Sequence, residues 1–171
     1  MTYLSKAFAL LALVALTACA NPDRFGAGNT VDLNSQGGID SAALGDAAFN
    51  SPAYFSQTIG DRVLFAVDES TLSASARQVL EGQATWLLDN RDYQIVVEGH
   101  ADEQGTREYN LALGARRASS VQQFLIAQGV GPGRIRTVTY GKERPLEICS
   151  EEACYAKNRR AVTVLNAGGI S

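Results

Sequence analysis

Three polar residues near the middle of the chain could together bind a small zwitterion. Asp102 lies in a polar segment after an apolar stretch, and Asn110 and Arg117 follow it, seven residues apart from each other. A helix would place the latter two on one face, about 10 Å apart along its axis. A carboxylate accepts hydrogen bonds from an ammonium group, and an arginine fork holds a carboxylate in two parallel bonds. The sequence alone also allows a plain surface ion pair between Asp102 and Arg117, which would contribute little to stability.

The elements that must position these residues alternate between strand and helix patterns. We predict strands at 62–67, 93–98, 135–140 and 161–165, helices at about 73–90 and 107–128, and a short helical turn before the last strand. Ser73 is predicted to cap the first helix, and Gly129 to end the second as its C′ residue. The order β-α-β-α-β-(α)-β predicts an α/β (α+β) fold, a two-layer sandwich with helices on one face of a mixed sheet. The polar residues then lie where a strand ends and a helix begins, which is a common place for ligands.

The N-terminus predicts export and lipid anchoring. Residues 1–18 contain one charge, at Lys6, then an apolar run and small residues, which is typical of a secretory signal. The four residues that end at Cys19 resemble the bacterial lipobox, so Cys19 is predicted to carry lipid, and two or more acyl chains hold a protein stably at a membrane. Alanine at position 20 favours the outer membrane. The alternative is an ordinary signal peptide with an incidental cysteine.

Residues 19–58 differ in composition from the rest of the chain. They are rich in glycine, asparagine, serine and aspartate, and no apolar period persists in them. This composition predicts a flexible tether whose ends lie about 35 Å apart as a relaxed coil. Phe49, Tyr54 and Phe55 are unusual for a linker, and we predict that they dock on the domain that occupies residues 59–167.

Composition excludes several classes of function. The formal net charge is −3, without the clustered basic surface that nucleic acid requires. His100 is the only histidine, which excludes a histidine-rich metal site. It could serve as a general base, but no nucleophile accompanies it in a recognisable arrangement, and a structural histidine at the end of a strand is the preferred interpretation. In an oxidising compartment, Cys149 and Cys154 are candidates for a disulfide.

Three segments resemble the family of OmpA-like peptidoglycan-binding domains, in the version that its lipoprotein members carry. The first reads Gly99-His100-Ala101-Asp102-Glu103-x-Gly105-Thr106-x-Glu108-Tyr109-Asn110. The downstream blocks are Tyr140-Gly141-Lys142-Glu143-x-Pro145 and Lys157-Asn158-Arg159-Arg160-Ala161. The resemblance extends from about Arg62 to Asn166.

This resemblance implies a binding protein with no catalytic residue, cofactor or metal. It implies that Asp102 and Arg117 hold the diaminopimelate residue of the peptidoglycan stem peptide, that Asn110 completes the site, and that Phe65 and Asp68 line it. The implied partners are peptidoglycan, the outer membrane through lipid on Cys19, and TolB of the Tol system. The implied role is envelope integrity and constriction at cell division, from the periplasmic face of the outer membrane.

One departure from the family pattern affects the first strand, and several alternatives stay open. Where the family usually reads Phe-Asp-Phe-Asp, this chain reads Phe65-Ala66-Val67-Asp68, so any contact of the first aspartate is in doubt. Arg159 and Arg160 could bind a carboxylate or glycan, or could form ion pairs at the last strand. The whole chain could also be a wall anchor outside the Tol system. A cell-wall hydrolase is a further alternative, although the sequence shows no recognisable arrangement of a nucleophile for it.

Overall fold

The computed structural model describes residues 49–167, so the predicted signal segment and Cys19 lie outside the described residues. Within that range no helix is both long and apolar enough to cross a membrane. The elements run in the following order: α1 Pro52–Tyr54 continuing into the π-helical Phe55–Gly60, β1 Arg62–Leu64, α2 Ala74–Asp89, β2 Tyr93–His100, α3 Arg107–Ala127, a 3-10 turn Pro132–Arg134, β3 Ile135–Gly141, α4 Glu152–Asn158 and β4 Arg160–Ala167.

The four strands form one mixed sheet in the order β1-β4-β2-β3. Strands β2 and β3 are parallel, and β4 runs antiparallel to both β1 and β2. The predicted mixed sheet with intervening helices is therefore confirmed. Strand β2 continues beyond its predicted end at Glu98, because Gly99 pairs with Thr139 on one side and with Ala161 on the other.

Local sequence signals set the ends of the two long helices. The Ser73 hydroxyl accepts a hydrogen bond from the Ala76 amide and caps α2 as predicted. The Thr106 hydroxyl accepts one from the Tyr109 amide and caps α3. Gly129 has a φ of +100° just beyond α3, which confirms its predicted role as the C′ residue.

The core lies between the sheet and the helices. Ile95 and Val97 of β2 are buried, whereas Val96 and Glu98, which alternate with them, are half-exposed, so the sheet has one packed and one open face. The packed face meets fully buried leucines and valines of the helices, namely Leu80, Leu87, Val121 and Leu125. Burial of each such side chain contributes about 1.5–3 kcal/mol, which makes this contact the main support of the fold.

An aromatic cluster fastens the segment before β1 to the domain. Phe55 is buried against Trp86, whose ring in turn contacts Tyr93, with 5.0 Å and 5.1 Å between ring centroids. The indole N–H of Trp86 donates to the Phe49 carbonyl at 2.8 Å, and Tyr54 packs against the core. The predicted docking of Phe49, Tyr54 and Phe55 is confirmed. The core therefore includes Phe55, which precedes the predicted domain start at residue 59.

Helix α3 approaches β2 closely at a pair of glycines. A Cβ on Gly99 would lie 1.9 Å from the Gly114 carbonyl oxygen, and one on Gly114 would lie 2.4 Å from Thr139 Oγ1. Neither position has room for a side chain without moving backbone atoms. This contact fixes the height of α3 above the sheet, and with it the positions of Asn110 and Arg117 relative to the loop that follows β2.

We predict that Gly99→Ala lowers the free energy of unfolding by about 2–3 kcal/mol, because the added methyl group overpacks a backbone contact. Gly133→Ala is the matched control, since nothing lies within 4 Å of a Cβ at that position. It should be neutral or slightly stabilising. Urea denaturation of the two variants and the wild type measures both effects. Equal stability of the two variants would contradict the close contact.

Candidate functional site

The loop between β2 and α3 carries Asp102 in a fixed, largely buried position. The Ala101 amide donates to the Gly141 carbonyl at 2.8 Å, which ties the start of the loop to β3. Asp102 Oδ1 accepts a hydrogen bond from the Gln104 amide at 3.2 Å, and Oδ2 accepts one from Arg159 Nη1 at 3.1 Å. Both carboxylate oxygens therefore accept a hydrogen bond, which fixes the orientation of the Asp102 side chain.

Arg117 is fully buried, and its guanidinium bonds to backbone rather than to Asp102. Nε donates to the Glu69 carbonyl at 2.7 Å, Nη1 to the His100 carbonyl at 2.8 Å and Nη2 to the Ala66 carbonyl at 3.1 Å. Burial lowers the pKa of Arg117 to about 10, so the group stays charged at neutral pH. The three bonds use three of its five N–H groups.

This placement differs from the sequence expectation, in which the fork of Arg117 is available to hold a carboxylate. The physical reason is the path of the chain after β1. At Asp68 the backbone turns through a φ of +58°, and the turn brings the carbonyls of Ala66 and Glu69 over the guanidinium. Among the described residues, Asp102 and Arg117 form no ion pair within 4.0 Å, and Asp102 pairs with Arg159 instead.

Asn110 braces the loop from the first turn of α3. Its side-chain amide is buried and donates to the Asp102 carbonyl at 3.3 Å and to the Gln104 carbonyl at 2.7 Å. Both bonds hold backbone that carries the Asp102 side chain. In the empty site Asn110 therefore orders the loop, and its NH₂ group is engaged with protein.

Phe65 and Asp68 lie beside Arg117, and their role in lining a ligand site stays a prediction. The Phe65 ring is buried with its centroid 5.2 Å from the guanidinium carbon of Arg117, a cation–π contact. Asp68 is exposed, and its carboxylate accepts a hydrogen bond from the Tyr109 hydroxyl. This bond joins the loop after β1 to the first turn of α3 across the site.

Arg159 is the partner of Asp102 that sequence reasoning did not assign. It lies 57 residues away along the chain and also bonds to the Glu152 carboxylate. Burial alone lowers the pKa of Arg159, but the hydrogen bonds that it donates to Glu152 and Asp102 outweigh burial and raise the pKa above its usual value. Of the two alternatives for Arg159, the structure shows the ion pair. Arg160 instead donates to the carbonyls of Asn158 and Arg144.

The buried charges of the site do not balance. Two buried guanidiniums, those of Arg117 and Arg159, accompany one buried carboxylate, that of Asp102. The further acids nearby, Asp68 and Glu152, are exposed. Because a buried charge is costly without a partner, the site favours an added anionic group.

Asn158 and a disulfide order the neighbouring loop. The Asn158 side chain accepts from the amides of Leu146 and Glu147 and donates to Glu103 Oε1 at 2.7 Å. Cys149 and Cys154 form a disulfide, which spans the start of α4, where Glu152 lies. The disulfide fastens the loop before α4 to the first turn of that helix, and Asn158 ties the same loop to Glu103, next to Asp102.

His100 is buried at the end of β2 with its ring 5.5 Å from that of Tyr140. Neither ring nitrogen has a hydrogen-bond partner among the described residues, and Nε2 lies 3.6 Å from the Glu98 carboxylate. Burial, with the nearby charges of Arg160 and Arg144, lowers the pKa of His100 to about 4. A neutral, enclosed histidine fits a structural role. Residues 49–167 also contain no group of three or more side chains suited to hold a metal ion.

Comparison with known proteins gives one consistent result. The family model described as the OmpA family matches residues 64–159. The chain is 46% identical over 161 residues to the "Peptidoglycan-associated lipoprotein" of Mesorhizobium japonicum, covering 94% of this chain and 91% of that protein. It is 44% identical over 162 residues to the protein of the same name from Agrobacterium fabrum, covering 95% and 88%.

Solved structures extend the similarity to the fold. The crystal structure of the peptidoglycan-associated lipoprotein from Burkholderia pseudomallei matches with a TM-score of 0.64 and 34% identity, over 68% of this chain and all of that one. The C-terminal domain of Helicobacter pylori MotB matches with a TM-score of 0.58 and 22% identity, over 62% and 84%, and shows similarity of fold alone.

We predict that His100 makes the fold sensitive to mild acid. Between pH 6.5 and about 4 the unfolded chain binds a proton at this residue and the folded protein does not, so stability falls as the pH falls through that window. The loss amounts to about 2–3 kcal/mol. His100→Leu should remove this component, which urea denaturation at pH 7 and pH 4 measures as a change in the stability difference from wild type. A constant difference would show that His100 is not held neutral.

Proposed function

The chain belongs to the OmpA family, with peptidoglycan-associated lipoproteins among its relatives, and we propose that it is an outer-membrane lipoprotein that binds peptidoglycan. Binding is non-covalent, and no bond of the wall is made or broken. The observation that carries this proposal is the buried cluster of Asp102, Arg117 and Arg159, with one carboxylate and two guanidiniums. The membership of the family supports the choice of peptidoglycan as the ligand.

The ligand group that we propose is the free centre of diaminopimelate in the stem peptide. This centre carries an ammonium and a carboxylate on one carbon. Asp102 accepts hydrogen bonds from the ammonium, and a guanidinium of the cluster holds the carboxylate. Because the cluster has an excess of positive charge, a bound zwitterion directs its negative end to the arginines and its positive end to the aspartate.

Arg117 contributes in two ways in this account. It holds together the carbonyls of Ala66, Glu69 and His100, and it adds positive charge beneath the site. Its direct contact with a ligand requires the exposed loop of residues 66–69 to move, since that loop covers the guanidinium. Asn110 supports the ligand indirectly by holding the loop of Asp102 in place.

The anchor and the tether complete the proposed role. Lipid on Cys19 would hold the chain at the periplasmic face of the outer membrane. The residues between Cys19 and Phe49, as a relaxed coil, would separate the lipid from the domain by about 30 Å. The domain would then bind the wall while the lipid stays in the membrane, and the chain would link the two layers.

We also propose that the protein works with TolB of the Tol system and supports envelope integrity and constriction at cell division. The support is the resemblance of the lipoprotein-type signature from Gly99 to Asn110. A wall anchor independent of the Tol system has the same wall-binding site and differs only in its partner. A cell-wall hydrolase would instead release new fragments when the protein is incubated with intact wall.

We predict that Asp102→Asn weakens sedimentation of the full-length protein with insoluble peptidoglycan by about tenfold or more, because it removes the charge that receives the ammonium. The substitution keeps the side-chain shape and the acceptor for the Gln104 amide. Asp92→Asn makes the same charge change in an exposed turn before β2 and should sediment like wild type.

The same assay tests the ligand group directly. Stem peptide with its free diaminopimelate carboxylate amidated should compete with the wall less well than the unmodified peptide. If Asp102→Asn sediments like Asp92→Asn, or if the two peptides compete equally, the site is not the one described.

The partner is tested separately. From detergent-solubilised envelopes, the lipidated protein should recover TolB, and Asp92→Asn should recover as much as wild type because that side chain lies far from the loops of the site. Recovery of wall fragments without TolB would support a wall anchor that is independent of the Tol system.

A further inference from the structure

The guanidinium of Arg159 has three partners, and they differ in exposure. Nε donates to the Phe65 carbonyl at 3.3 Å, Nη1 to Asp102 at 3.1 Å, and both terminal nitrogens contact the Glu152 carboxylate. The side chains of Arg159 and Asp102 are 6% and 10% exposed, whereas that of Glu152 is 65% exposed. Glu152 is therefore the partner that faces solvent, and its carboxylate covers the outer edge of Arg159.

We propose that Glu152 is a displaceable stand-in for the ligand carboxylate on Arg159. Its carboxylate supplies negative charge to Arg159, one of the two buried guanidiniums. When a zwitterion binds, the ligand carboxylate takes the place of Glu152, and the ligand ammonium reaches Asp102. This proposal rests on the proposed function, since it describes how the same site exchanges one carboxylate for another.

The adjacency of Asp102 and Arg159 fits a zwitterion whose two charges share one carbon. The two side chains are hydrogen-bonded to each other at 3.1 Å, so an acceptor for an ammonium and a donor for a carboxylate lie side by side. Arg117 is less suited to make the first contact because its guanidinium is fully buried and bonded to three carbonyls.

The position of Glu152 allows its side chain to leave without disturbing the fold. It lies in the first turn of α4, which the disulfide between Cys149 and Cys154 spans. The backbone is thus held while the exposed side chain rotates into water. Only the Glu152 end of this ion pair is exposed, so water solvates that carboxylate when it leaves. The ligand carboxylate takes its place on the buried Arg159, which keeps the cost of the exchange modest.

The exchange has a measurable consequence for affinity. If Glu152 leaves the Arg159 guanidinium uncovered in only a fraction of the molecules, the apparent affinity for the ligand is the intrinsic affinity multiplied by that fraction. Removing the negative charge of Glu152 should therefore strengthen binding. If binding were strengthened only because the protein loses one negative charge, the same change at the neighbouring Glu151, which is also exposed, would strengthen it equally.

The test is isothermal titration calorimetry of the full-length protein in detergent with a diaminopimelate-containing tetrapeptide. Glu152→Gln should bind about two- to fivefold more tightly than wild type. Glu151→Gln is the matched control and should bind like wild type. Equal affinities of the two variants would overturn the proposal. If the two variants bind equally while wild type binds and Asp102→Asn does not, only the displacement of Glu152 is overturned. If wild type itself does not bind the peptide, the proposed function is overturned as well.

A second readout separates displacement from a structural role. The hydrogen bond from Arg159 lowers the pKa of Glu152 in the empty protein. With the tetrapeptide bound, titration of the Glu152 carboxyl carbon by NMR should show this pKa moving back toward the ordinary value of a glutamate. A pKa that stays lowered in the bound protein would mean that Glu152 remains on Arg159, and would also overturn the proposal.

Discussion

The buried guanidinium of Arg117 joins three parts of the chain that are far apart in sequence. Its hydrogen bonds to the carbonyls of Ala66, Glu69 and His100 connect the loop after β1 to the end of β2, with α3 as the base. A buried charge of this kind is tolerated because its bonds are satisfied, and removal of its partners would leave it uncompensated. The loop of Asp102 and the turn at Asp68 depend on this junction for their relative positions.

The close contact of Gly99 with Gly114 makes that junction possible. It brings α3 to the sheet near the end of β2, so that Asn110 meets the loop and Arg117 meets the backbone of His100. The resulting site contains more buried positive than negative charge. An exposed acid, Glu152, offsets the difference when no ligand is present. We propose that this imbalance gives the site a preference for a zwitterion with an accessible carboxylate.

The sequence predicts the element order and most element ends well, because these depend on local patterns. The Ser73 cap and the Gly129 stop are decided by residues within one helical turn. The continuation of β2 through Gly99 is not predictable in this way, since it depends on pairing with two other strands.

The family resemblance predicts Asp102, Asn110 and Arg117 as site residues, but it does not predict their contacts. The pairing of Asp102 with Arg159 and the burial of Arg117 arise from contacts between residues far apart in the chain, which no spacing argument reveals. At position 66, where the family usually has aspartate, the contact to Arg117 is made by the backbone carbonyl of Ala66.

The central claim is that one carboxylate and an adjacent guanidinium bind the zwitterionic centre of diaminopimelate. A crystal structure of the protein with a stem peptide bound tests it most directly. The account predicts the ligand ammonium within hydrogen-bond distance of Asp102 and the ligand carboxylate on a guanidinium of Arg159 or Arg117. A peptide ordered elsewhere, with Asp102 still bonded to Arg159 and making no contact with the ligand, would contradict it.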